Sequence, residues 1–289
     1  MELALIQSQE HDTLPIAELK AVLDTEEIVA SLEYLSTGLV LINSLKKEDF
    51  YRNYGILTKR LAYTHEIDEI ILRTNLDNLE KDFATIDWNT YIKKDFAVRV
   101  KRFDKKDTDI SAIAVERRLG HLILSSLNSN NSLNHPSNTS LNTSSNISSN
   151  ISSNISSNRS SGVSSISVNL ENPESFIRVI TTKNEVIIAI EKIKLNKKHF
   201  QDIKPHKRPF FYPGSMSPKL ARCMVNLSHI KEGQLLLDPF CGTGGILIEG
   251  GIIGAKLIGS DIHWKMKNGT SINLDYCNIT DYEVHHLDV

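Results

Sequence analysis

Apolar residues recur along this chain at two different spacings, and the spacing changes from one region to the next. Near the start, Pro15 followed by Ile16, Leu19, Val22 and Leu23 predicts a short amphipathic helix with proline in its first turn. Further on, Phe96, Val98 and Val100 alternate with Ala97, Arg99 and Lys101, the period-2 pattern of a half-buried strand with a basic outer face. After Asp109, a helix cap in type, Val115, Leu119 and Leu122 return to helical spacing while Arg117 and Arg118 point elsewhere. Ser175–Thr181 and Glu185–Ile190 are two β-rich runs joined by a short polar turn, which predicts a hairpin. Strands and helices in this order predict a small α+β unit.

Between residues 125 and 167 the periodicity is lost. Ser and Asn dominate, Ile-Ser-Ser-Asn repeats from Ile147 to Asn158, and Arg159 is the lone charge. Such a tract buries too little apolar surface to offset its ordering entropy, and it reads as a disordered insertion. The N-x-S triplets at Asn146, Asn150 and Asn154 match glycosylation acceptors, but no secretory signal precedes them.

Charge changes the picture only locally. Lys and Arg total 33 against 35 Asp and Glu, a formal charge of −2, so no global basicity announces a polyanionic partner. Nine basic residues nevertheless fall between Lys192 and Arg222, among them Lys207 and Arg208, opposed by Asp202 alone. Phe210, Phe211 and Tyr212 sit among them, a composition that suits phosphate contact and base stacking, or equally aromatics docked on the next domain. The three cysteines, Cys223, Cys241 and Cys277, form no C-x-x-C pair. That excludes a disulfide framework and a cysteine-rich zinc site, predicts no metal, and fits a reducing cytoplasm. No apolar run approaches the roughly 20 residues of a membrane span.

The candidate chemistry lies in Gln234–Asp261. Leu235–Leu237 is a continuous apolar run ending in Asp238, as expected of a parallel strand buried on both faces. Pro239-Phe240-Cys241-Gly242-Thr243-Gly244-Gly245 follows, then a helical run Ile246–Ile253 and a second strand Lys256–Ser260 ending at Asp261. Strand, glycine loop, helix, strand and acid make up half of a doubly wound nucleotide-binding sheet. Leu247 occupies the third glycine position of G-x-G-x-x-G, and no G-K-[ST] is present, so neither the NAD fingerprint nor a P-loop is met. Asp238 at the head of the loop is a poor neighbour for a pyrophosphate. A cationic ligand without phosphates suits it better, and S-adenosylmethionine is one.

D-P-F-C-G-T-G-G at Asp238–Gly245 resembles motif I of the amino methyltransferases that act on exocyclic nitrogens of nucleic-acid bases. Gly259-Ser260-Asp261 resembles motif II, His286-Leu287-Asp288-Val289 the start of motif III, and Arg208–Met216 the helix motif found upstream in these enzymes. Phe96–Leu124 and Val168–Ile190 resemble a THUMP domain. Together they are similar to the archaeal tRNA guanine-10 N2-methyltransferase family. The resemblance implies an α/β protein with an N-terminal α+β (ferredoxin-like, THUMP) module followed by the first half of a Rossmann-like methyltransferase sheet. The implied organisation is an α/β module over residues 1–49 and a THUMP domain over 50–192, interrupted at 125–167. A basic linker over 193–215 and a partial methyltransferase domain over 216–289 complete it.

The resemblance also implies roles. Gly242, Thr243 and Gly244 would line the amino-acid end of S-adenosylmethionine, with Asp238 balancing its charge. Asp261 would hold the ribose, Ile262 would pack on the adenine, Asp288 would accept the adenine amino group, and Pro209–Gly214, with Tyr212, would close over the cofactor. Arg99, Lys101, Arg102, Arg117, Arg118, Lys207 and Arg208 would contact tRNA. His285 and His286 alternate along a predicted strand and so do not form a metal pair. Cys241 reads as small loop filler, and Trp264 as a packing residue beside the cofactor. No [DN]-P-P-[YFW] motif, the family's catalytic element, occurs in the chain, so no catalytic residue is assigned. On this basis the expectation is a fragment, or a split product needing a complementing C-terminal half, with Leu235–Leu237 left at a bare sheet edge. The rival readings are a THUMP methyltransferase acting at another guanine, and a tRNA-binding remnant without chemistry.

Overall fold

The computed structural model describes residues 1–43, 47–103, 111–132 and 166–288. The chain opens with β1 (Leu3–Gln7), α1 (Leu14–Thr25), and the hairpin of β2 (Ser31–Ser36) and β3 (Leu39–Asn43). Helix α2 (Lys47–Arg60) leads into the long β4 (Thr64–Thr74), followed by α3 (Leu79–Phe83), β5 (Asp95–Arg102) and α4 (Ala112–Ser132). The short β6 (Ser167–Val168), then β7 (Ser175–Thr181) and β8 (Val186–Lys194), complete one sheet. Helices α5 (Lys198–Asp202) and α6 (Pro218–Leu227) precede β9 (Leu235–Asp238), α7 (Gly245–Ile253), β10 (Lys256–Asp261), α8 (Trp264–Tyr276) and β11 (Tyr282–His286).

The strands form two sheets. The first has eight strands in the order β2-β3-β1-β4-β8-β7-β5-β6, antiparallel except where β5 meets β6 and β7. It runs unbroken past residues 49 and 50, because β4 pairs with β1 on one side and β8 on the other. One face packs against helices in two adjoining cores. Leu3, Leu5, Val40 and Ile42 meet Leu19 and Val22 of α1 and Phe50 and Leu57 of α2. Phe96, Val98, Ile177 and Ile188 meet Phe83 of α3 and Leu119 and Ile123 of α4. On the other face β4 carries register shifts between Ile67 and Asp68 and between Ile70 and Leu72. Ala4, Ile6, Leu39 and Leu41 join Ile180 and Ile187 there in one buried cluster.

The expected basic outer face of β5 is met in part: Arg99 keeps 31% of its side chain exposed and reaches toward α4, whereas Lys101 faces Glu66 and Asp68 of β4. Arg99 lies 3.5 Å from Glu116 and donates to the carbonyls of Val98 and Leu170 at 3.2 and 3.1 Å. Lys101 is half-buried, and burial lowers its ammonium pKa against the opposing pull of Glu66. Helix α4 also runs on to Ser132, past the expected start of the polar tract at Ser125. Leu119, Ile123 and Leu127 continue one apolar stripe four residues apart, and Leu127 is 2% exposed, so packing outweighs the polar composition there. At the far end of the tract, Ser167 and Val168 pair with Asp95 and Phe96. The disorder expected for 133–165 and the cap expected at Asp109 lie outside the described residues.

The second sheet is parallel, in the order β11-β10-β9, with α7 and α8 as its crossovers. Its core joins Leu236, Leu257, Leu247, Ile248 and Leu274. Among the described residues β9 lies at the edge. Only Leu236 and Asp238 of that strand are buried, whereas Leu235 and Leu237 are 58% and 60% exposed, so the two-sided burial expected of this run is not met. No described helix covers that face. None of the described helices is long and apolar enough to cross a membrane.

The two sheets are joined through α6. Glu18 of α1 accepts from the backbone N–H groups of Ala62 and Tyr63 at 3.0 and 2.9 Å and from Asn226 Nδ2 at 2.9 Å. Arg60 reaches Asn226 Oδ1 at 3.2 Å, the Ile230 carbonyl at 2.7 Å and Glu26 at 2.6 Å. Arg222 of α6 meets the fully buried Glu249 of α7 at 2.7 Å and donates to the Lys59 carbonyl. These buried polar contacts, made by Glu18, Arg60, Arg222 and Asn226, dock the second sheet on the first.

Candidate functional site

The loop after β9 is held open by its own backbone. Gly242 and Gly244 adopt positive φ of 54° and 80°, conformations that side chains disfavour. A Cβ at Gly244 would also lie 2.9 Å from the Thr270 methyl. Thr270 of α8 donates to the Gly242 carbonyl at 2.8 Å, and Cys241 N–H donates to Ser260 O at 2.9 Å. The loop is thereby tied to α8 on one side and β10 on the other. Gly259 lets β10 approach α7, because a Cβ there would meet Leu247 Cδ1 at 2.5 Å.

Asp238 and Asp261 stand at the tips of adjacent strands, each 9% exposed. Asp238 Oδ1 accepts from Phe240 N–H at 3.2 Å. Burial raises its carboxyl pKa, the Phe240 hydrogen bond opposes this, and the like charge of Asp261 adds to the rise. Asp261 accepts from Gly242 N–H at 3.0 Å and from His263 N–H at 2.8 Å, so one carboxylate braces both loops.

Across the loop lies a strap from Pro209 to Ser217. Phe210 anchors it through Asn273 of α8, a residue the sequence reading missed. Asn273 is fully buried. Its Oδ1 accepts from Phe210 N–H at 3.0 Å, while Nδ2 donates to Phe210 O at 2.9 Å and to Thr243 O at 3.0 Å. One amide thus joins strap, glycine loop and helix. One turn earlier, Gly269 makes room for the Phe210 ring, which a Cβ there would meet at 2.0 Å. Gly and Asn are poor helix formers. Their presence four residues apart in the middle of α8 was the sequence signal for this anchor.

Strap and loop enclose a cavity of 220 Å³. Tyr212, Pro213, Gly214, Ser215 and Met216 face Asp238, Phe240, Gly242 and Thr243 across it. Thr243 Oγ1 donates to Ser215 Oγ at 3.1 Å. Among the described residues no Lys or Arg lines this cavity, and the one charged group lining it is the carboxyl of Asp238. A desolvated acid facing a space without cations suits a positively charged ligand and opposes a phosphate. Cys241 is 5% exposed and its thiol is pushed up to about 11 by burial, which makes it filler rather than a nucleophile at neutral pH.

The remaining residues singled out from the sequence are placed as follows. Gly244 caps α7 at its N-terminus. Ile262 is 53% exposed beside the Asp261 tip, and Asp288 is exposed beyond β11. Pro209 is exposed at the root of the strap. Trp264 is 59% exposed, edge-on to His286 at 5.7 Å. Arg117, Lys207 and Arg102 lie on the surface, and Arg118 is held by Glu80 at 3.1 Å. Arg208 is a correction. It is 4% exposed, its Nε donates to the Ile203 carbonyl at 2.8 Å, and burial lowers its pKa, so it supports the strap from beneath instead of reaching outward.

A parallel β–α–β–α–β sheet with a glycine loop and acidic strand tips defines a Rossmann-like methyltransferase domain. The family model described as "RMKL-like, methyltransferase domain" matches residues 205–287, strap included. The fold resembles that of TrmN from Thermus thermophilus, with a TM-score of 0.57 at 16% identity, covering 100% of this chain and 74% of that one. A tRNA (guanine(10)-N2)-dimethyltransferase of Methanothermobacter thermautotrophicus is 39% identical over 288 residues, spanning 100% of this chain and 72% of that protein. One of the same description from Methanocaldococcus jannaschii is 35% identical over 300 residues, spanning 96% of this chain and 73% of that protein. The chain belongs to the archaeal tRNA (guanine(10)-N2)-dimethyltransferase family.

Proposed function

We propose that this chain binds S-adenosylmethionine under the strap and serves the methylation of N2 of a guanine, guanosine 10, in tRNA. The observation that carries the cofactor reading is a cavity whose lining, among the described residues, holds one charge, the desolvated carboxyl of Asp238, next to glycines with positive φ. In this reading Asp238 balances the cofactor's cationic end, Gly242 and Thr243 line it, and Asp261 takes the ribose with lone pairs left over from Gly242 and His263. Tyr212 and its neighbours in the strap close over the ligand. When bound, the cofactor supplies an electrophilic methyl group, and the protein's contribution is to position it against the guanine amino group in a dry site. Residues 50–192 act as the THUMP domain that holds tRNA, with Arg117 and Arg102 on its surface and Lys207 on the segment that follows it.

The experiment is calorimetric titration with S-adenosylmethionine and, separately, NADH. Saturable binding of the sulfonium compound, absent in Asp261→Ala, is expected. Capture of NADH with no affinity for S-adenosylmethionine would overturn the reading.

A further inference from the structure

Beside the cofactor cavity lies a second hollow of 480 Å³, more than twice the 220 Å³ of the first, and Ser215 lines both. Its wall is drawn from both parts of the protein. His65 comes from β4, Lys197 and Lys204 flank α5, His206 follows, and Lys219 comes from α6. Glu10 is the one carboxylate in this lining, and its two oxygens are already taken by Lys219 Nζ at 2.8 Å. Lys204 and His206 form no ion pair among the described residues.

Lys197 is the least ordinary member. Its Nζ donates to the Leu61 carbonyl at 2.9 Å and lies 5.7 Å from the centre of the Phe200 ring. Burial pushes its ammonium down to about 7, with Glu18 pulling the other way and Lys219 and Arg222 adding to the fall. A buried amine gathered with other cations around an open space is stabilised in its charged form when an anion enters. The acid of the first cavity disfavours phosphate; the titratable groups lining this one, which shares Ser215 with it, are mostly basic.

We propose that this hollow binds a backbone phosphate of the RNA substrate, belonging to a nucleotide next to the one presented at the cofactor cavity. The proposal rests on the reading that the chain binds tRNA. Phosphate oxygens accept from lysine and imidazole N–H groups, and such contacts fix register without reading sequence. The shared residue Ser215 ties the register of the backbone to the position of the cofactor. The hollow also joins the two sheets, so an RNA strand seated here would touch both.

The test measures tRNA affinity between 50 and 200 mM salt for the parent chain, Lys204→Ala and Lys204→Glu, with S-adenosylmethionine affinity measured in parallel. The Lys204 side chain makes no hydrogen bond or ion pair among the described residues, and its carbonyl contact with Lys207 N–H is backbone only, so both variants are expected to keep the parent's melting temperature. Loss of one phosphate contact is expected to weaken tRNA binding roughly tenfold near 0.1 M salt and to lower the salt slope by about one. Lys204→Glu is expected to weaken it further, with cofactor affinity unchanged in both. Parent and variants binding tRNA alike, with one salt slope, would overturn the inference while leaving the tRNA reading intact. Competition by inorganic phosphate for a site whose loss leaves tRNA binding untouched would also overturn it, in favour of a free anion. If the parent itself binds no tRNA, the functional reading falls and this inference with it.

Discussion

The two sheets treat buried carboxylates in opposite ways. On the face of the eight-stranded sheet opposite its helices, Arg178 lies between Glu66 at 2.9 Å and Glu191 at 2.8 Å and stacks over Phe176 at 4.2 Å. Asp68 beside them is fully buried and makes no hydrogen bond, and burial, followed by the charge of Glu66, pushes its carboxyl up to about 8. At neutral pH it is mostly the uncharged acid. The ionisation of that region is settled within the chain itself. In the three-stranded sheet Asp238 is also desolvated, yet it faces an open cavity with no cation in its lining. One sheet neutralises its acids internally, whereas the other leaves an acid for something outside the chain to neutralise. That difference separates scaffold from site more clearly than burial does, because both acids are buried.

Three substitutions sharpen this comparison. The largest effect is expected from Asn273→Ala, which leaves the amide and carbonyl of Phe210 and the carbonyl of Thr243 without their shared partner. Loss of about 3 kcal/mol in urea unfolding is expected, together with weakened cofactor binding as the strap detaches. A variant as stable as the parent would show that the strap is held by the Phe210 ring alone. Next, Asp238→Asn removes the charge left for the ligand while keeping its shape and the Phe240 contact. Affinity for S-adenosylmethionine is expected to fall at least about 30-fold, roughly 2 kcal/mol, with the melting temperature unchanged or raised. Equal affinity would mean that Asp238 does not answer the cofactor's charge.

At Asp68 the expected effect is confined to the pH dependence of stability. Its folded pKa lies above the ordinary carboxylate value of 3.8, so the folded chain keeps a proton that the unfolded chain releases. Stability is therefore full below about pH 4 and declines as pH rises toward about 8. Asp68→Asn is expected to flatten that decline, so that its stability relative to the parent rises steadily from pH 5 to pH 8 in chemical denaturation. Parallel curves for the two proteins would place the titration elsewhere.

Much of the site was legible because its chemistry is local. Asp238–Gly245 and Asp261 are contiguous signals, and positive φ at Gly242 and Gly244 is a demand that only certain residues meet without strain. The strap could be read as a segment, since prolines and aromatics mark it, but not as a lid whose position depends on one distant amide. Asn273 lies 63 residues from Phe210, and nothing in either neighbourhood names the other. Arg208 failed for a related reason. A basic residue in a basic run reads as exposed until the packing around it is known, and here it is enclosed beneath the strap.

The sequence by itself determined several of the elements, among them α1, β5, the β7–β8 hairpin and β9–α7–β10, and the glycine loop with its two acids, because propensity, periodicity and backbone angles act over a few residues. Only the tertiary structure decided which charges face inward, which helix pins the strap, and that two neighbouring hollows differ in electrostatic character. Those outcomes follow from how β4 bends and how α6 docks on α1 and α2, and desolvation and long-range pairing depend on residues far apart along the chain.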